Sequence, residues 1–287
     1  MQRLRPVLIA LALLALVGCQ ADTAPRNGTV ASADGVSIAY TVAGQGPAVV
    51  LVHCWSGNRS LFDSAQADLV VDHRVLTLDL AGHGESGGER TDYTMTAFAR
   101  DVLAAMDVAA VDRAVLVGHS MGGTVMMEVA HLAPERVLGL VGIDNLQQVE
   151  QIFTREQLDL FMAPMRGDFA AFVRPFVRGM FPADADSAGV ARVTDIMLQA
   201  DPAVATSAFA NLFDYDMPTA ARAYEGSVRL VNDPVYPVNV DQWREYGVDL
   251  AVAWLEGVGH FPMVSAPDRF LPELRKAVVE LEAVASP

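Results

Sequence analysis

The chain has 287 residues, 52% hydrophobic and 19% charged, which suits one large α/β domain with an insertion or two small domains. Lys and Arg number 20 against 35 Asp and Glu, a formal charge of −15. Such a surface repels nucleic acid and anionic membranes, which excludes both as expected partners.

At the N-terminus, Arg3 and Arg5 precede an apolar run from Val7 to Val17, eleven residues and too short to span a bilayer. A basic start followed by a short apolar run is the pattern of a secretory signal. The run ends in Leu16-Val17-Gly18-Cys19, which resembles a bacterial lipobox. Residues 1–18 are therefore expected to be a lipoprotein signal peptide, Cys19 the lipidation site, and 19–28 a polar tether. Gln20 rather than Asp follows the cysteine, which by analogy with Gram-negative lipoproteins favours the outer membrane. The expected location is thus outside the cytoplasm, with membrane contact only through lipidated Cys19. That leaves Cys54 without a partner, so no disulfide is expected in spite of an oxidising compartment.

Thr29 to Ala31 and Val36 to Val42 read as two strands joined by a turn at Asp34-Gly35. Ala48 to Val52 is a solid apolar run, the pattern of a strand buried on both faces. Val75 to Asp79 is the next strand. Met95 to Val108 has helical spacing, Ala114 to Val117 is apolar, a helix follows to His131, and Val137 to Ile143 is another strand. From Leu146 to Gly226 the strands stop, and helices with breaks near Gly167, Pro182 and Pro202 take over. This stretch holds eight of the chain's twelve phenylalanines, among them Phe161, Phe169, Phe172 and Phe176. They either line an apolar acyl or alcohol pocket or simply pack these helices together. Strands return at Val228 to Val231 and Leu250 to Leu255, and an amphipathic helix runs from Pro267 to Ala283. The pattern is one α/β core, 29–145 and 227–287, with a helical cap over 146–226.

The rest of the chain serves Gly118-His119-Ser120-Met121-Gly122. Strand, Gly-x-Ser-x-Gly turn, then helix is the arrangement of a nucleophile elbow. Glycines on either side of Ser120 let strand and helix approach, and the helix start aims free N–H groups at charge developing near the serine oxygen. A serine nucleophile needs a base. Of six histidines, His260 lies in Gly257-Val258-Gly259-His260-Phe261, a loop after a strand's C-terminal end, where open α/β sheets gather functional groups. His119 is expected to point away from the serine side chain. The orienting acid follows a strand end: Asp233 is preferred, with Asp144 as the alternative. The backbone N–H groups of Met121 and Trp55 are the expected oxyanion donors.

The elbow, the loop from Asp79 to Ser86 and Gly259-His260 together resemble the α/β-hydrolase superfamily, from about Val30 to the C-terminus apart from the cap. The resemblance implies a mostly parallel twisted sheet with helices on both faces. It also implies a serine hydrolase that works through an acyl-enzyme on a small-molecule substrate, with a carboxylic ester as the expected class. Relatives also cleave amides or carbon–carbon bonds or perhydrolyse acids, and some serve as receptors. Dehalogenases and epoxide hydrolases of this fold carry aspartate where this chain has Ser120. The departure is at Cys54, where the family has glycine after histidine. Cys54 itself is expected to be a small buried residue rather than a nucleophile. No cofactor and no metal are expected. Gly82-His83-Gly84-Glu85-Ser86-Gly87 matches a dinucleotide fingerprint in spelling, but a polar loop rather than a helix follows it.

Overall fold

The computed structural model describes residues 24–285. The signal peptide expected over 1–18 and the lipidation expected at Cys19 lie outside the described residues. Eight strands form one sheet: β1 (Arg26–Ala31), β2 (Ser37–Gly44), β3 (Ala48–Val52), β4 (Arg74–Leu78), β5 (Ala114–His119), β6 (Val137–Ile143), β7 (Ser227–Asn232) and β8 (Asp249–Trp254). Their order across the sheet is β1-β2-β4-β3-β5-β6-β7-β8. β2 runs antiparallel to both of its neighbours, and every pair from β4 to β8 across the sheet is parallel. β1 begins at Arg26, inside the stretch expected as tether, because the hairpin pairs Arg26 with Val42 and extends the sheet by an exposed edge strand.

Helices cover both faces, so the central strands have no solvent side and β5 is buried along its whole length. Between strands of the core lie α1 (Asp63–Leu69), α2 (Met95–Val108) and α3 (Met121–Leu132). After β6 come the cap helices α4 (Arg155–Gly167), α5 (Phe169–Gly179), α6 (Ser187–Met197), α7 (Pro202–Phe213) and α8 (Met217–Ala223). The chain closes with α9 (Val240–Glu245), α10 (Pro262–Ser265) and α11 (Pro267–Ala285). α11 buries Phe270, Leu274, Ala277, Val278 and Leu281, one stripe at helical spacing laid on β6 and β7. Each large side chain buried in this way stabilises the fold by about 1.5–3 kcal/mol.

The cap breaks where local chemistry breaks it. Thr154, Asp168, Asp186, Asp201 and Asp216 each accept a backbone N–H at the start of one cap helix, and Thr154 forms a capping box with Gln157. The expected breaks fall at the end of α4, between α5 and α6, and at the first residue of α7.

Four histidines are buried, His53, His73, His83 and His119, and three of them are held neutral by burial. Burial holds His53 down at about 4. Burial, with His53 beside it, holds His83 down at about 3. Burial and the adjacent His260 hold His119 well below its ordinary value. The unfolded chain binds protons at these histidines below about pH 6.5 and the folded chain does not, so stability falls as pH drops. The urea midpoint should stay level from pH 8 to 7 and fall between pH 6 and 5. Each histidine contributes a slope approaching about 1.4 kcal/mol per pH unit. His83→Asn should flatten that slope; a midpoint unchanged down to pH 5 in the unsubstituted protein would contradict the burial argument.

Candidate active site

β5 stops at His119 and α3 starts at Met121, so Ser120 alone makes the turn, with φ 53° and ψ −118°. A non-glycine residue held there costs about 1–3 kcal/mol and persists only where its surroundings fix it. They do. The Ser120 N–H donates to the Ile143 carbonyl at 3.1 Å, and its own carbonyl accepts from Gly123 N–H at 2.9 Å. Asn145 Nδ2 donates to the Gly118 carbonyl at 2.7 Å and to the Ser120 carbonyl at 3.3 Å. The flanking glycines are required by space: a Cβ on Gly118 would lie 2.3 Å from the Gly122 carbonyl oxygen, and one on Gly122 would lie 2.2 Å from that of Val52. Ser120 itself is half-buried, between fully buried neighbours.

His260 lies on the loop from β8 to α10, and its Nδ1–H donates to Asp144 Oδ2 at 2.5 Å. This bond fixes the tautomer and leaves the Nε2 lone pair free. Asp144 is buried at the end of β6, where φ of 44° turns its carboxylate toward the imidazole. The preferred acid, Asp233, is not the partner. Its Oδ2 accepts the Gly259 N–H at 2.7 Å and its Oδ1 the Val235 N–H at 3.1 Å, so it faces loop backbone rather than the ring. The carboxylate that meets the imidazole is Asp144, the alternative of the two expected acids.

The backbone around His260 is held from three sides. Gly259 N–H goes to Asp233, His260 N–H to the Met180 carbonyl of the cap at 2.8 Å, and the His260 carbonyl accepts from His119 Nε2–H at 2.7 Å. His119 was expected only to point away from the serine. Its ring lies 4.8 Å from that of His260 and 5.0 Å from Phe261, so it braces the His260 loop from the elbow. On the cap side Phe181 stacks on Phe261 with centroids 5.3 Å apart.

The N–H groups expected as oxyanion donors belong to Met121 and Trp55. Met121 N–H opens α3, where the first N–H groups have no intrahelical acceptor. His53 Nδ1–H donates to the Cys54 carbonyl at 2.8 Å, Gly57 N–H donates to the same oxygen at 3.0 Å, and Leu80 N–H anchors His53 Nε2 at 3.0 Å. Because the peptide is planar and trans, fixing that carbonyl aims the Trp55 N–H the opposite way. Cys54 is buried and its thiol is pushed up to about 12 by burial, which keeps it protonated and unreactive.

The Trp55 ring enters the cap. Its Nε1–H donates to the Ala205 carbonyl at 2.7 Å, and the rings of Phe169, Phe172, Phe176 and Phe209 meet its edges at 5.3–6.5 Å between centroids. Phe161 adds to the cluster by stacking on Phe209. The cap phenylalanines thus pack on one another and also surround the Trp55 ring.

The glycine-rich loop after β4 is structural. Asp79 is buried and binds the Arg59 guanidinium, the Arg59 N–H and the Glu85 N–H. The Gly82, His83, Ser86 and Gly87 N–H groups all donate to backbone carbonyls, and the next helix opens only at Met95. Amides already engaged in this way offer no cradle for phosphate.

Residues 47–186 match the family model described as alpha/beta hydrolase fold. An uncharacterized protein of Mycobacterium tuberculosis is 29% identical over 87% of this chain and 80% of its own length. The Karrikin insensitive 2 receptor CA of Petunia hybrida is 24% identical over 80% of this chain and 91% of its own. Among solved structures, an esterase from Exiguobacterium antarcticum superposes with a TM-score of 0.79 at 19% identity, over 88% of this chain and all of that one.

Proposed function

The chain has the α/β-hydrolase fold, and from that premise we propose that it is a serine hydrolase cleaving a small, apolar carboxylic ester. The observation that carries the reading is the hydrogen bond from His260 Nδ1 to buried Asp144, one strand over from a serine held on a strained elbow. In this scheme His260 Nε2 takes the Ser120 Oγ proton as Oγ attacks the ester carbonyl, and the Met121 and Trp55 N–H groups hold the resulting oxyanion. His260 then passes the proton to the departing alcohol. Water, deprotonated in turn by His260, releases the carboxylic acid and frees Ser120. Asp144 keeps the imidazole in its productive tautomer and stabilises the imidazolium. The aromatic wall beside Trp55 favours an apolar acyl group.

A second reading, a ligand-binding receptor with slow turnover, draws support from the likeness to the petunia receptor. A p-nitrophenyl ester series from acetate to octanoate separates the two. Many turnovers per molecule, with kcat/KM rising from acetate as the acyl chain lengthens, are expected. Release of one equivalent followed by no further turnover would favour the receptor.

A further inference from the structure

Asp233 stands at the end of β7, one residue beyond the strand, and is 3% exposed. A carboxylate is costly to bury, and hydrogen bonds to it are the usual compensation. Here they come from two backbone amides, Gly259 at 2.7 Å and Val235 at 3.1 Å. The Asp233 N–H, in turn, donates to Asp144 Oδ1 at 3.2 Å. Asp144 therefore has one oxygen on the Asp233 backbone and the other on His260. Its neighbour Asn232 continues the same tie: Nδ2 donates to the Asn145 carbonyl at 2.8 Å, while its own carbonyl accepts the Leu255 N–H at 2.9 Å.

We propose that Asp233 is a positioning residue, which fixes the Asp144–His260 pair by holding Asp144 with its backbone N–H and the peptide before His260 with its carboxylate. The proposal rests on the reading of Asp144 and His260 given above, and assigns Asp233 a part distinct from theirs. The Asp144 carboxylate has a rotational freedom that a single bond to the imidazole does not remove. The bond from Asp233 N–H to the other oxygen sets its plane. Gly259, for its part, has φ 70° and no room for a side chain, since a Cβ would lie 2.6 Å from the Met180 carbonyl oxygen. A peptide held in that conformation needs a partner for its N–H, and among the described residues the Asp233 carboxylate supplies it.

Asp233→Asn retains one acceptor oxygen but turns a donor toward the second N–H. Asp233→Ala removes both acceptors and leaves the backbone bond to Asp144. The expected result is a fall in kcat of about tenfold for Asp233→Asn and about 10²-fold for Asp233→Ala, with KM nearly unchanged, since sub-ångström misplacement of a catalytic group acts on the chemical step. The second readout is the His260 Nδ1 proton, which a short bond to a carboxylate moves far downfield in the proton NMR spectrum. It should shift upfield or broaden in Asp233→Ala, partly recover in Asp233→Asn, and vanish in Asp144→Asn. A folded Asp233→Ala protein with wild-type kcat and an unmoved resonance would overturn the proposal. So would Asp233→Asn losing as much activity as Asp144→Asn, because Asp233 would then be the acid itself. If Asp233→Ala does not fold, an unchanged resonance in Asp233→Asn is the overturning result. Should the unsubstituted protein turn over no ester, the hydrolase reading fails, and the resonance still decides the positioning role.

Discussion

Ser120→Ala is expected to lower kcat by about 10⁶-fold on any ester the protein turns over, the loss seen when a triad nucleophile is removed. The residual rate would come from binding and from the Met121 and Trp55 donors, which the substitution leaves in place. The fold should survive. Ser120 makes no side-chain hydrogen bond as the cap of α3, and alanine meets the same backbone strain at φ 53° as serine does. A fluorophosphonate probe gives the direct measurement: it should label the unsubstituted protein stoichiometrically and the variant not at all. Labelling that survives, or that moves to Cys54, would show that another group is the nucleophile. The buried thiol, pushed up to about 12, is the reason to expect neither.

Asp144→Asn should lower kcat by about 10⁴-fold, on the order of the loss when a triad aspartate becomes asparagine. The amide offers its NH₂ where His260 Nδ1 now donates, or turns its oxygen inward and forfeits the bond from Asp233 N–H. Either outcome weakens the tautomer that leaves Nε2 unprotonated. Since Asp144 is 2% exposed, loss of its charge also removes the stabilisation of the imidazolium at a site with little water to replace it. Comparing kcat for Asp144→Asn and Asp233→Asn on the same ester decides the matter. A normal Asp144→Asn would reject the geometry as catalytic.

The strands and the elbow were legible because their signals are local. β3, α2 and β6 occupy the residues expected of them, since apolar runs or periodic faces there end abruptly in polar turns. Short helices α1 and α9, with seven and six residues, carry too little periodicity to stand out. All five cap helices follow an Asp or Thr, a local signal finer than the breaks expected near Gly167, Pro182 and Pro202. The choice between two aspartates was not decided by their positions, as both follow strand ends. A signal was nevertheless present in Asn232-Asp233-Pro234-Val235: an aspartate before proline tends to bind the N–H two residues on, and that turn occupies Asp233 Oδ1. The brace from His119 to His260 spans 141 residues of sequence and has no local signature.

The bond from His260 N–H to the Met180 carbonyl ties the cap to the residue proposed as the base. α5 carries Phe169, Phe172 and Phe176 against the Trp55 ring, and Met180 follows it directly. Any opening that lifts α5 from the core breaks the His260 tie and unstacks Phe181 from Phe261 at the same time. On the proposed mechanism an open molecule would admit ligand with a loosened base, and a molecule ready to react would already be shut. Molecules too bulky for α5 to reseat over them would dwell in the cleft uncleaved. Discrimination between acyl groups would then appear as a difference in turnover number more than in occupancy, and uncleaved occupants would act as competitive inhibitors.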